Sequence, residues 1–347
     1  MPDVNGPLAA YTTLRLGGPA RRLVVAKSAQ DIVQGLREAA LAGEPTLVLA
    51  GGSNVVVDDA GFPGTAILVR STGFTTTTNG DTVCVTLAAG QPWDGVVAEA
   101  VDTDWSGIEC LAGIPGSAGA TPIQNVGAYG QEIAETITAV RAYDRVADEL
   151  VTLSPAQCGF GYRTSAFKRS ARWAVLSVDL RLTRSRMSMP IRYAELAGAL
   201  GVPLGASAPV REVHDAVLGL RAGKGMVLDD RDPDTYSVGS FFTNPVLDGD
   251  AYQALARCAG REPTSWPAPD GTVKVSAAWL IEKAGFTKGY AAAGAVGISG
   301  KHTLALTNRG TGSTDALLAL AREIRDGVHA TFGVTLHTEP VLVNCAL

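Results

Sequence analysis

Three well-separated segments carry side chains suited to one kind of acid–base chemistry. In GFGYRTSAFK (159–168), Arg163 follows Tyr162 in a glycine context, with Lys168 close behind. A guanidinium fork can bind a carboxylate through two parallel hydrogen bonds and stabilise an enolate that develops from it. In GSFFTNP (239–245), Ser240 precedes two phenylalanines, and Gly239 and Pro245 bracket the run. A serine hydroxyl is too weak an acid for ordinary leaving groups, but it suffices for a carbanion, whose conjugate acid is weaker still. In HTEP (337–340), Glu339 sits among Val334, Leu336, Val341 and Val343, where partial desolvation would suit a proton donor or relay. Each residue has a plain alternative: a solvated loop arginine, a strand-edge serine beside core aromatics, a strand glutamate facing water.

Two further segments offer backbone rather than side chains. TLVLAGGSNVVV (46–57) reads as a strand ending in a turn. Gly51 and Gly52 let a ligand approach the main chain, Ser53 and Asn54 add hydrogen bonds, and successive N–H groups there suit a pyrophosphate. An ordinary tight turn fits equally well. IPGSAGATPIQNVGAYG (114–130) is poor in bulk: after Ile114, the small or compact residues Pro115, Gly116, Gly119, Ala120, Gly127 and Ala128 would let the chain lie flat against a planar ring. Gln124 and Asn125 can donate to and accept from a flavin's heteroatoms. A disordered linker is the competing reading, and it would leave Ile114, Ile123, Val126 and Tyr129 in water. No GxGxxG follows a strand, and AVGISGKH (295–302) has Ala295 and His302 where a phosphate loop needs Gly and Ser/Thr, which excludes a P-loop kinase or ATPase.

The elements that must hold these segments alternate along the chain. Strand-like runs occur at 23–26, 47–50, 67–70 and 83–88. A helix is expected over 28–43, with Ser28 and Asp31 as a capping box, and another over 92–101. WAVLSVDLRL (173–182) reads as a strand, and the basic, turn-prone 183–192 as a boundary. Helices follow near 193–200, 209–221, 249–258, 275–284 and 314–331, and the chain closes on a β-like run from Val334 to Val343. The pattern is α+β in more than one domain.

At 347 residues the chain can build two or three cores. No segment approaches the ~20 apolar residues that span a bilayer. The start shows no basic and then apolar leader, so a cytoplasmic protein is expected. A net charge of −5 disfavours a nucleic-acid-coating role. Five cysteines without a CxxC pair read as buried free thiols, and four histidines without HxH or HExxH spacing predict no metal.

Taken in order, GGSNVVV, IPGSAGATPIQNVGAYG, FGYRTSAFK, GSFFTNP, SAAWLIEKAG (276–285) and the strand around Glu339 resemble the UDP-N-acetylenolpyruvoylglucosamine reductase family. The resemblance covers nearly the whole chain. It implies an FAD-binding module of the vanillyl-alcohol-oxidase (PCMH) type over 1–183, with lobes of about 1–70 and 71–183. It also implies an α+β substrate-binding domain over 184–347, whose C-terminal strand returns to the active site. FAD would be non-covalent, with Gly51 to Asn54 at its pyrophosphate and 114–130 at its flavin. The family's catalytic Arg, Ser and Glu fall on Arg163, Ser240 and Glu339. Tyr193 matches the tyrosine-loop subtype, and Tyr162, Lys224 and Asn244 match substrate-binding positions. The implied enzyme is an NADPH-dependent UDP-N-acetylmuramate dehydrogenase of peptidoglycan precursor synthesis, expected to be monomeric. Another PCMH-type FAD oxidase or a non-catalytic nucleotide-sugar binding protein are the alternatives. The absence of histidine before His214 argues against a histidine-tethered flavin.

Overall fold

The computed structural model of the chain describes residues 6–268 and 270–347 and divides into two compact units. The first comprises Ala20–Gly52 and Pro63–Val227; the second comprises Gly6–Pro19, Ser53–Phe62 and Leu228–Leu347.

The first unit holds two large sheets and a two-stranded one, Gly127–Ala128 with Gln131–Glu132. A three-stranded sheet runs in the order Ala20–Ala26, Phe62–Val69, Thr46–Leu49, the last two parallel. Helix α1 (Ala29–Leu41) packs on it because its apolar stripe is short and regular: Ile32, Leu36 and Ala39 are buried with Ala26, Ile67 and Val69. Its start is fixed as the sequence predicts. Ser28 Oγ accepts from Asp31 N at 3.1 Å, and the Asp31 carboxylate accepts from Ser28 N at 2.9 Å. The second sheet is antiparallel, in the order Glu149–Leu153, Ile137–Asp144, Trp173–Arg184, Thr82–Ala88, Phe74–Asn79. Its core is closed by α2 (Trp93–Asp102), which buries Trp93, Val96, Val97, Ala100 and Val101. A single turn, α3 (Pro155–Cys158), follows.

The expected boundary at 183/184 falls at the end of the long strand Trp173–Arg184, and the chain does not leave the first unit there. Helices α4 (Ala194–Leu200) and α5 (Val210–Gly223) belong to it, because Leu196, Ala197, Val213 and Val217 complete the core begun by Val97, Ile108 and Leu111. Each such side chain contributes about 1.5–3 kcal/mol when fully buried, which outweighs the polar, turn-rich character of 183–192. The units part at Val227/Leu228.

In the second unit, α6 (Gly249–Ala259), α7 (Ala277–Lys283) and α8 (Thr314–Phe332) surround short strands. α8 is capped by Ser313 and buries Leu317, Leu318, Leu320, Ala321, Ile324 and Val328, a wider stripe than its i+4 spacing suggests. The terminal β-like run is strand only at Val341–Val343, which pairs parallel with Val55–Val57. The 295–302 segment that superficially resembles a phosphate loop is a hairpin: Val296–Ile298 turns back to Leu306–Asn308, with no helix after the turn. Cys110 and Cys158 are buried as expected, but Cys84 and Cys258 are exposed, so burial does not account for every free thiol. Among the described residues no helix is long and apolar enough to cross a membrane, and no cluster of His, Cys, Asp and Glu could hold a metal.

Candidate active site

The first unit gathers the two ligand-holding segments. Gly51 and Gly116 touch backbone to backbone: a Cβ on Gly51 would lie 2.6 Å from Gly116 Cα. Gly52 and Gly116 both have positive φ, 61° and 128°. Ile114, Pro115, Gly116, Ala120, Gly127 and Ala128 are half-buried, so a low-relief surface of main chain and small side chains follows this contact. A flat heteroaromatic ring with a pyrophosphate fits such a surface, and FAD is compatible with these residues. Gly119 packs against Ala89. Its N–H donates to Ala89 O at 2.8 Å and a Cβ there would strike Ala89 at 2.5 Å, so it is glycine for packing.

Asn125 departs further from expectation. Its amide donates to Glu132 at 2.7 Å and to Gly161 O at 3.2 Å, and its oxygen accepts from Ala134 N at 3.1 Å. Both donor hydrogens and one acceptor site are thus committed to protein. The side chain ties the 114–130 loop to the 159–168 loop rather than reaching toward a ligand. Gln124 accepts from Lys168 Nζ at 3.3 Å, a second tie between the same loops.

That link positions Arg163. Its guanidinium donates to Gly127 O at 2.7 Å and Asn125 O at 3.4 Å, and a Cβ on Gly127 would lie 3.0 Å from it. Only glycine lets the cation lie this close over the loop. Arg163, Asn125 and Tyr129 all have positive φ, at 52°, 45° and 49°. Such strain costs of order 1–3 kcal/mol per residue and persists where surrounding contacts enforce it.

Tyr129, carried in the motif but not singled out as a contact, stands at the centre of a second group. Its ring meets Tyr193 edge-on at 5.5 Å, and Lys224 lies 5.5 Å from the ring centroid. Lys224 also bonds Glu195 at 2.5 Å. Burial pushes the Tyr129 hydroxyl up to about 12, so it stays protonated at any physiological pH. Tyr193 and Tyr162 remain exposed, and the Tyr193 hydroxyl is also raised, first by burial and then by Glu195.

The second unit brings Ser240 and Glu339 onto neighbouring segments. Glu339 N donates to Phe241 O at 2.9 Å, Thr243 N donates to His337 O at 3.0 Å, and Phe242 bridges Thr338 antiparallel. Phe241 and Phe242 are fully buried and meet edge-to-face at 5.1 Å, so this short ladder is anchored in the core. Glu339 is half-buried, in line with the partial desolvation its neighbours predict. Two residues later Val341 N donates to Asn54 O at 3.0 Å, which places the Ser53–Asn54 turn beside the same strand. Asn244 Oδ1 accepts from Ala277 N at 2.9 Å and caps the first turn of α7.

Known proteins match this arrangement along its length. The family model for an FAD binding domain matches residues 20–154, and that for the C-terminal domain of UDP-N-acetylenolpyruvoylglucosamine reductase matches 232–343. The chain is 64% identical to the UDP-N-acetylenolpyruvoylglucosamine reductase of Salinispora arenicola (strain CNS-205), over 100% of this chain and 97% of that one. It is 55% identical to that of Thermobifida fusca (strain YX), over 99% and 98%. Its fold is that of the crystal structure of the reductase from Thermus caldophilus, with a TM-score of 0.65, 24% identity and 97% coverage of both chains. At 64% identity over its whole length to one such reductase, the chain belongs to the UDP-N-acetylenolpyruvoylglucosamine reductase family.

Proposed function

We propose that the chain reduces UDP-N-acetylglucosamine enolpyruvate to UDP-N-acetylmuramate at the expense of NADPH, with Arg163, Ser240 and Glu339 as its catalytic groups. It is an FAD-dependent oxidoreductase of peptidoglycan precursor synthesis. The observation that carries the assignment of roles is the ladder joining Phe241 to Glu339, which sets a hydroxyl and a carboxylate on adjacent segments.

FAD, when bound, would supply the hydride chemistry between NADPH and C3 of the enolpyruvyl group. Gly51, Gly52 and Ile114–Gly116 would hold it in the first unit, with Gly127 and Ala128 beside them. The protein's side chains manage the charge. Negative charge accumulates at C2 and spreads into the substrate carboxylate, so the alkene is activated only if that charge is held. Arg163 presents a guanidinium whose direction is fixed by the Gly127 and Asn125 carbonyls. Glu339 supports the enolic form, and Ser240 delivers its proton to C2. Tyr193, Lys224 and Tyr162 bind the UDP sugar. The enzyme works in this reading as a cytoplasmic monomer, which sedimentation of the purified protein would check.

One spectroscopic experiment tests the proposal. The purified protein should be yellow, release its colour on denaturation, bleach with anaerobic NADPH and recover on addition of the enolpyruvyl substrate. Bleaching without recovery would point to another FAD oxidase. A colourless protein unable to take up FAD would leave only a nucleotide-sugar binding protein.

A further inference from the structure

Glu109 is a fully buried carboxyl in the first unit, set where Ile108, Leu111, Val213 and Val217 form the core. Taking a carboxyl out of water is costly unless its oxygens find donors. Both do, and from different places. Oε2 accepts from Gly107 N at 2.6 Å, within its own turn, and Oε1 accepts from Met189 N at 2.9 Å, 80 residues further along the chain. The stretch around Met189 is otherwise paired with 206–210: Val210 N donates to Arg186 O at 2.9 Å, Ser188 N to Ala208 O at 2.8 Å and Ile191 N to Ala206 O at 2.9 Å. Met189 N leaves that pairing to meet Glu109. Tyr193 follows closely and opens α4, its carbonyl accepting from Ala197 N at 3.0 Å.

The next residue of the same turn holds a second segment. Cys110 N donates to Gln131 Oε1 at 2.9 Å. Gln131 is buried and pairs with Ala128, so it closes the hairpin whose tip carries Tyr129. Glu109 and Cys110 thus tether, side by side, the two stretches whose tyrosines meet edge-on at 5.5 Å. We propose that Glu109 is a positioning residue for the UDP sugar, acting by holding Tyr193 in place against Tyr129. This rests on the reading above that Tyr193 binds that substrate. The chemistry of the group explains why a carboxyl stands in a core. Two N–H donors from separate segments need two acceptor atoms on one side chain, which a carboxyl provides and an amide does not. An amide here turns its NH2 toward one of the donors and breaks one tether, with almost no change in volume.

The test is a double-substitution cycle on the FAD-loaded enzyme. For each form kcat, the KM for the UDP sugar, FAD affinity and the limiting rate of FAD reduction by NADPH are measured. Glu109→Gln should raise that KM about tenfold, the worth of one buried donor left without its acceptor, while the other three quantities stay near native. Tyr193→Phe raises the KM in the native background and should add nothing further in Glu109→Gln, because the hydroxyl is already displaced. Should Glu109→Gln fail to fold, Met189→Pro carries the same comparison: it removes the N–H at a residue 43% exposed and leaves the carboxyl in place. A native KM in the variant measured would overturn the inference. So would a parallel loss of FAD affinity and FAD reduction, which would make Glu109 a general scaffold, and so would additive effects of the two substitutions. If Tyr193→Phe alone leaves the KM untouched, the substrate-binding reading of Tyr193 falls, and the inference with it.

Discussion

The 114–130 loop of the first unit and the Ser240/Glu339 ladder of the second solve the same problem, fixing reactive groups, by opposite means. The loop is positioned by side chains that give up their own reactivity: Asn125 is consumed in three hydrogen bonds, and backbone strain at Asn125, Tyr129 and Arg163 is held by packing. The ladder is held by main-chain bonds, one bond from the Thr243 hydroxyl to His337 O at 3.4 Å, and two buried phenylalanine rings. Substitutions in the loop should therefore act through structure and cofactor affinity. Those on the ladder should act on chemistry with little effect on stability.

The largest expected effect is Ser240→Ala. Stopped-flow should show FAD reduction by NADPH nearly intact and reoxidation by substrate slowed by about 10²–10⁴-fold, the usual worth of a positioned general acid. Equal loss in both half-reactions would give the serine a scaffolding role and erase the contrast. Next is Gly51→Ala, whose Cβ would meet Gly116 backbone at 2.6 Å. Overpacking of this kind costs about 1–3 kcal/mol, and FAD affinity by fluorescence titration should fall accordingly. Gly239→Ala is its counterpart on the ladder. The added methyl meets nothing within 4 Å, so only the positive φ of 74° opposes it, at about 1 kcal/mol and with FAD affinity unchanged. Asn125→Ala leaves Glu132, Ala134 and Gly161 without their partner, and thermal denaturation should show a loss of about 1–3 kcal/mol. A variant as stable as the native protein would remove the case for a structural asparagine. The smallest effect belongs to Tyr193→Phe, which keeps the ring packed on Tyr129 and loses one hydroxyl. KM for the UDP sugar should rise by roughly 1 kcal/mol equivalent with kcat preserved, and an unchanged KM would contradict a substrate contact.

Much of this was legible in the residues. The capping box at Ser28, the stripes of α1 and α8 and the strand at Trp173–Arg184 follow from local periodicity, and the glycine-rich segments announced a place where bulk is excluded. Other features were not, for reasons that differ. Apolar spacing shows that α4 and α5 have a buried face but not which core receives it; their packing with Val97, Ile108 and Leu111 decides that. Asn125 and Gln124 look alike in sequence, and only folding reveals that the former is enclosed by Glu132 and Gly161. The strand Phe74–Asn79 is exposed throughout and carries no two-residue alternation to announce it.

The parallel pairing of Val55–Val57 with Val341–Val343 has a consequence for how the protein comes into being. Val56 and Val57 are buried, yet their strand partner lies 286 positions later, from 55 to 341. On a ribosome adding about 5–20 residues per second, that strand waits roughly 15–60 s for its neighbour. During this interval an apolar segment with an open hydrogen-bonding edge is present on the nascent chain, where a chaperone or another unfinished polypeptide can reach it. The second unit can close only when translation is nearly over.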